Sequence, residues 1–192
     1  MGSSVDKASM RPVYFTKSSA NLALSGGTAP YPPETRDYHH EMELVVAIGE
    51  PGFRVSESSA RRMIYGYACG LDMTRRDLQA TAKARGNPWD LAKNVESGAV
   101  CGEIQPAAGQ VLRNGEIVLR VNGEVRQRAD LSDMIWSIPE IIADLSSYYH
   151  LQPGDLIYTG TPEGVGPVRP GDRLEGSVQG AGKIEFEIGQ AE

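Results

Sequence analysis

Apolar positions along this chain recur mostly with a period of two, the spacing of strands whose successive side chains point to opposite faces. Glu41 to Ile48 (EMELVVAI) sets Met42, Leu44, Val46 and Ile48 on one face and leaves Glu41 and Glu43 together on the other. Residues 56 to 64 suit a short helix, and Ile64 to Leu71 is a Gly-interrupted apolar run that predicts a buried strand ending at Asp72. From Thr74 to about Arg85 the composition favours a helix, with Thr74 as cap, Asp77 three residues on, and Gly86 followed by Asn87-Pro88 as the stop. Asn122-Gly123, set between alternating stretches in residues 116 to 128, predicts a hairpin turn. Ile138 to Tyr149 reads as an amphipathic helix with Pro139 in its first turn, and Leu156 to Thr159 begins a strand that runs into Thr161 to Pro167. Residues 25 to 37 (SGGTAPYPPETRD) are rich in Gly and Pro and are expected to hold no regular element. With no internal repeat and no strand-helix alternation, the pattern predicts a β-rich α+β domain over residues 13 to 192, preceded by a flexible polar end over residues 1 to 12.

The 192 residues are enough for one domain with its own core, and the 40% hydrophobic content agrees. A net charge of -6 argues against a nucleic-acid role, which needs clustered Lys and Arg to displace counterions. No apolar run reaches the roughly 20 residues that span a bilayer, so no membrane partner is expected. Cys69 and Cys101 stand in no metal-binding or redox spacing and read as buried free thiols, which points to a reducing, cytoplasmic setting.

The candidate chemistry is carried by oxygen ligands and a few cations. Glu41 and Glu43 on one strand face repel each other unless a proton or a cation neutralises them. With Asp72 they make an all-oxygen set, suited to magnesium, manganese or calcium rather than zinc or copper. A bare Glu-x-Glu is otherwise an ordinary solvated strand face. Lys93, in the short stretch Trp89-Asp-Leu-Ala-Lys-Asn, could stabilise a developing oxyanion or enolate, or could be a surface lysine. Lys17, after Tyr14-Phe-Thr, could reach a substrate carboxylate or end a solvated strand. Arg76 and Gln79 share a helix face that could turn toward a metal. His39 should point the same way as the two glutamates by alternation, whereas His150 reads as a helix-end residue. Thr161 to Gly166 resembles the turns whose backbone N–H groups gather around anions, although a plain Gly/Pro turn is the competing view.

Seven segments in order resemble the catalytic domain of the fumarylacetoacetate hydrolase family, in particular its acylpyruvate and fumarylpyruvate hydrolase branch. They are Tyr14-Phe-Thr-Lys17, His39-His-Glu-Met-Glu43, Gly70-Leu-Asp-Met-Thr-Arg-Arg-Asp-Leu-Gln79, Pro88-Trp-Asp-Leu-Ala-Lys93, Val121-Asn-Gly-Glu124, Met134-Ile-Trp-Ser-Ile-Pro139 and Gly154 to Gly166. The resemblance implies a β-rich roll, usually a homodimer. It further implies that Glu41, Glu43 and Asp72 bind magnesium or manganese, that Lys93 and Thr161 lie against metal and substrate, and that Arg76 and Gln79 line the pocket. The substrate class implied is a small 2-oxo or 2,4-dioxo acid that chelates the cation and is cleaved by water to leave pyruvate.

One departure is visible. In hydrolases of the family water is activated by a His and Glu pair upstream of the Tyr-Phe-Thr-Lys block, and residues 1 to 11 do not contain it. The expectation is a loss of about 100-fold to 10,000-fold in hydrolysis, the usual contribution of a positioned base, with cation and oxo-acid binding retained. Two alternatives follow: an oxaloacetate-type decarboxylase or isomerase on the same scaffold, and a catalytically idle protein that binds metal and oxo acid.

Overall fold

In the computed structural model, which describes Lys7 and residues 10–191, the period-two stretches become strands that pair into three sheets. The expected flexible end, residues 1 to 12, lies mostly outside the described residues. In chain order the strands are β1 (Leu22–Leu24), β2 (Thr28–Tyr31), β3 (Tyr38–His40), β4 (Met42–Ile48), β5 (Ile64–Asp72), β6 (Thr74–Arg75), β7 (Ala99–Cys101) and β8 (Gln105–Pro106). They continue as β9 (Glu116–Val121), β10 (Glu124–Asp130), β11 (Leu156–Tyr158), β12 (Gly166–Pro167), β13 (Arg173–Val178) and β14 (Gly182–Ala191). The helices are α1 (Glu57–Ala60), α2 (Arg76–Arg85), α3 (Asp90–Lys93) and α4 (Ile138–Leu145). One sheet has the order β1-β7-β5-β4-β11 with β8 also on β5, a second the order β10-β9-β13-β14-β2, and a small third joins β12, β3 and β6. This is the β-rich α+β architecture that the pattern predicts.

The core lies between the two larger sheets. Met42, Leu44, Val46 and Ile48 face it from β4, with Tyr67, Cys69 and Leu71 beside them on β5. Ile117, Leu119, Val121, Leu174, Ile184 and Phe186 meet them from the second sheet. The other face of β4 and β5 is also covered, by a smaller cluster of Val45, Ala68 and Cys101 with Ile104, Leu156 and Tyr158 packed on it. Both cysteines are buried free thiols. Asn122 and Gly123 both take positive φ (53° and 82°), the geometry of a two-residue turn whose twist matches the flanking strands, and β9 and β10 pair antiparallel across it.

Three local expectations change. Residues 28–31, inside the stretch expected to be irregular, pair parallel with β14. The strand tolerates Pro30 because β2 is a sheet edge, where a missing N–H need not break a ladder. Thr74 does not cap α2: β6 pairs with β3, so the backbone stays extended through Arg75 and the helix begins at Arg76. Its end does follow the sequence, with Gly86 left-handed at φ 66°. The helix expected over Ile138 to Tyr149 stops at Leu145, where Ser146 and Ser147 hydroxyls donate to the Ala143 and Asp144 carbonyls and tighten the chain into turns. Its start carries the reciprocal Ser137 and Glu140 capping box.

Leu119 is fully buried where β9 meets β4, so Leu119→Ala removes contacts that nothing else can make. The expected cost is about 2 to 5 kcal/mol, read as a lower denaturant midpoint with an unchanged slope; a shift near zero would show that the two sheets do not pack here.

Candidate active site

Strand register places the three acids. On β4 and β5, Glu43 lies opposite Gly70, and one step toward the sheet end the Asp72 N–H donates to the Glu41 carbonyl at 2.9 Å. Because the side-chain period is two, Glu41, Glu43 and Asp72 therefore rise from the same face. Gly70 leaves room beside Glu43; any side chain there would run into Val45 and the Tyr158 ring. All three carboxylates are buried, and one oxygen from each can be chosen so that all lie within 4.8 Å of one another.

Each acid has a different set of neighbours. Glu41 accepts from Arg76 through one oxygen and from Lys93 Nζ at 2.7 Å through the other. Asp72 Oδ2 accepts from Lys93 at 2.7 Å, while Lys17 Nζ sits 2.8 Å from Oδ1. No donor hydrogen is aligned on Oδ1, which is buried against this ammonium. Glu43 accepts the Gly160 N–H at 2.7 Å and, among the described residues, has no ion pair. Burial first, then the charges of Asp72 and Glu41, push its carboxyl up to about 8 against the pull of the Gly160 amide. Carboxylates that repel, one of them lacking a counter-charge, fit a divalent cation of the oxygen-seeking kind.

The cations expected near the site are brought in from separate elements. Lys93, at the end of α3, is 2% exposed and donates at 2.7 Å to each of Glu41, Asp72 and Thr74. Thr74, expected only as a cap, thus holds the third proton of that ammonium. Lys17, expected to reach a substrate carboxylate, instead lies behind Asp72 and donates to the Met73 and Gly98 carbonyls at 2.8 and 3.0 Å. Burial lowers its pKa against the opposing pull of Asp72. Arg76, on the first turn of α2, reaches Glu41 and donates to Gln79 Oε1 at 2.6 Å, so Gln79 is joined to the cluster through it. His39 lies 2.8 Å from Asp37 and 3.4 Å from Arg76 Nε. His150 is far from this chemistry, stacked on Phe53 with ring centroids 3.9 Å apart.

Thr161 enters from the loop after β11. That loop is fixed to β4 by Thr159, whose amide and hydroxyl both donate to the Leu44 carbonyl, and by the Gly160 bond to Glu43. Gln127 of β10 donates to Thr161 Oγ1 at 2.8 Å.

A family model described as Fumarylacetoacetate (FAA) hydrolase C-terminal matches residues 2–189. The chain belongs to the fumarylacetoacetate hydrolase family. A fumarylpyruvate hydrolase of Ralstonia sp is 58% identical over 192 residues, 100% of each chain. A mitochondrial oxaloacetate tautomerase of Arabidopsis thaliana is 40% identical over 191 residues, 98% of this chain and 83% of that one. The crystal structure of a fumarylpyruvate hydrolase from Pseudomonas aeruginosa in complex with Mn2+ and pyruvate matches with a TM-score of 0.91 at 40% identity, over 96% of this chain and 82% of that one. The family fold is thus the scaffold on which these side chains converge.

Sequence reasoning missed Gln127, Thr74 and the Gly160 amide. Alternation does not mark Gln127, since Val125 in the same phase is 41% exposed and the bulge at Arg126 is what turns the amide inward, and no residue pattern marks a backbone N–H.

Asp72 is 1% exposed between two ammonium groups. Asp72→Ala leaves the buried Lys17 without its carboxylate and Lys93 with Glu41 alone, and the expected loss is about 3 to 5 kcal/mol. Glu43→Gln should act in the opposite sense in metal-free protein. A carboxyl whose pKa is raised on folding costs stability above that raised value and not below its ordinary one, so the variant should melt no lower than wild type above about pH 8. Added Mn2+ should raise the melting temperature of wild type far more than that of Glu43→Gln. Equal stabilisation of the two proteins would remove Glu43 from the ligand set.

Proposed function

We propose that this chain is a divalent-metal-dependent hydrolase that cleaves a carbon–carbon bond in an acylpyruvate such as fumarylpyruvate, releasing the acid and pyruvate. The observation that carries the reading is the convergence of three buried carboxylates from one sheet face with Lys93, Arg76 and the Thr161 loop around them. The 58% identity to a fumarylpyruvate hydrolase over both full chains supports the substrate class. The Mn2+ and pyruvate held by the Pseudomonas aeruginosa structure support the choice of cation and of oxo acid.

Glu41, Glu43 and Asp72 would hold magnesium or manganese. Such a cation supplies a Lewis acid for the carboxylate and 2-oxo group of the substrate. Thr161 and Arg76 orient the oxo acid, and Gln79 holds the Arg76 guanidinium by accepting one of its N–H bonds. Lys93 has all three protons committed, so it acts through its fixed charge: it aims Glu41 and Asp72 and counters the negative charge that develops on the departing enolate. Lys17 serves from behind by holding Asp72. In the reaction the water oxygen bonds to the acyl carbonyl carbon, and the bond from that carbon to the methylene breaks. Its electron pair passes to the pyruvate enolate, and the proton released by water ends on the methylene carbon.

The Ralstonia sp relative is aligned over its whole length. A relative with the name fumarylpyruvate hydrolase, matched end to end, supports hydrolysis over the two alternatives. The deciding experiment assays the protein with Mg2+ or Mn2+ against fumarylpyruvate and oxaloacetate, following pyruvate, carbon dioxide and the enol to keto change separately. Rapid hydrolysis of fumarylpyruvate is expected; tautomerisation or decarboxylation of oxaloacetate alone would replace the reading with isomerase or decarboxylase.

Lys93→Met should lower turnover by about 100-fold or more, in line with loss of a preorganised charge at the transition state. The Michaelis constant should change much less. Turnover at the wild-type level with weakened binding would contradict the role.

The reading includes a homodimer. Val13, Leu24 and Leu91 are 70%, 70% and 78% exposed and are the kind of side chains a second copy would cover. Light scattering on the purified protein should give twice the chain mass, and a monomer at all concentrations would exclude it. No helix among the described residues is long and apolar enough to cross a membrane.

A further inference from the structure

Gln127 is an amide buried to 1% exposure in a strand whose other residues are at least partly exposed. Its inward aim comes from an irregularity in the hairpin. Val125 pairs with Arg120 and Gln127 with Leu119, so Arg126 is an extra residue, and the bulge puts Gln127 on the buried side with Leu119. The loop carrying Thr161 is laid directly on this bulge. Gly164, at φ 93°, admits the contact because a side chain there would strike the Arg126 carbonyl.

The orientation of the amide is fixed by partners that have only one role each. Oε1 accepts the Met42 backbone N–H at 3.0 Å, and a backbone N–H can only donate. Nε2 donates to the Pro162 carbonyl at 3.0 Å, and a carbonyl can only accept. Two consequences follow. His40, whose Nδ1 is 3.0 Å from Oε1, must carry its proton on Nδ1. The remaining Nε2 hydrogen points at Thr161 Oγ1, 2.8 Å away, so that oxygen is an acceptor in this bond. The hydroxyl proton of Thr161 must then be directed elsewhere, and among the described residues no acceptor takes it.

We infer that Gln127 is a positioning residue that sets the polarity of the Thr161 hydroxyl, turning its proton away from the amide and toward the carboxylate of a bound 2-oxo acid. The inference rests on the oxo-acid reading above and adds the element that prepares the site for an anion. A serine or threonine hydroxyl is ordinarily free to donate or accept by rotation. Here the buried amide donates to the hydroxyl oxygen in advance and so excludes the rotamer in which the hydroxyl would donate to it, and Met42, between the two glutamates, ties the same amide to the strand that carries them. A hydroxyl already turned to donate makes a charge-assisted hydrogen bond to a carboxylate without reorganising.

Two measurements test this. Neutron diffraction on deuterated protein without ligand should show both Nε2 deuterons of Gln127 on Pro162 and Thr161, and the Thr161 deuteron directed away from Gln127 into open space. A Thr161 deuteron engaged with a protein acceptor would overturn the inference whatever the substrate proves to be. The second measurement is pyruvate binding to the Mn2+-loaded protein, with Mn2+ affinity measured separately. Gln127→Glu keeps an acceptor for Met42 and His40 but replaces the donor, so the Thr161 hydroxyl would be drawn to it. Pyruvate affinity should fall roughly 10- to 100-fold, the worth of a hydrogen bond to a charged group. Thr161→Val should fall by a similar factor, and the double variant should be no weaker than Thr161→Val alone. Additive losses would mean that Gln127 acts by another route and would overturn the inference. Failure of the wild-type protein to bind pyruvate with Mn2+ would instead sink the oxo-acid reading and with it the carboxylate half of the inference, while the neutron map still reports the hydroxyl.

Discussion

The structure is organised around a burial problem: three carboxylates are taken out of water at the end of one sheet face. Removing an ion from water costs several kcal/mol even after relaxation, so each such charge must be met by a partner of opposite sign or by a proton. Glu41 and Asp72 are met by Lys93, Asp72 also by Lys17, and Glu41 by Arg76. Those partners come from α3, from the segment before β1 and from α2, so the charge requirement draws three separate pieces of chain against β4 and β5. Glu43 is left with a single backbone N–H, which makes the cluster a place where added positive charge is favourable.

A second constraint concerns how loops are held to the site. Loops ordinarily move more than the elements they connect. Here the segment after β11 is bonded to β4 through Thr159 and Gly160 and to β10 through the buried amide of Gln127. The bonds tie the loop to the strand bearing the acids, so the hydroxyl of Thr161 and the carboxyl of Glu43 keep a common frame. A bulge in β10 and a glycine at position 164 allow this approach, and both are departures from regular pairing that place a functional group.

Members of the family with similar chains act on different small oxo acids: the name of one relative is a hydrolase and that of another a tautomerase. A cation held by hard oxygen ligands stabilises charge on an oxygen next to a carboxylate, which is what the proposed site would offer to either kind of oxo acid.

Much of this was legible from residue order alone. The alternation of Glu41 to Ile48 determines that the two glutamates share a face, because strand geometry has a period of two wherever the strand is placed. Asn122-Gly123 determines the hairpin, because few residues adopt two successive positive φ values, and Gly86 determines the end of α2 for the same steric reason. Other features depend on pairing across long stretches of sequence. That Asp72 joins the glutamates is decided by the β4 to β5 register, and that Thr74 serves Lys93 rather than capping a helix is decided by the pairing of β6 with β3. Lys17 shows the limit most clearly: its sequence context marks a cation after an apolar approach, but which carboxylate it meets depends on where the chain around Met73 and Gly98 is folded. Gln127 is similar, since only the bulge and the crossing loop turn an ordinary polar strand residue into a buried amide with every hydrogen-bonding position used. Local sterics are written in neighbouring residues, whereas the partner of a buried charge or amide is chosen by the whole chain closing around it.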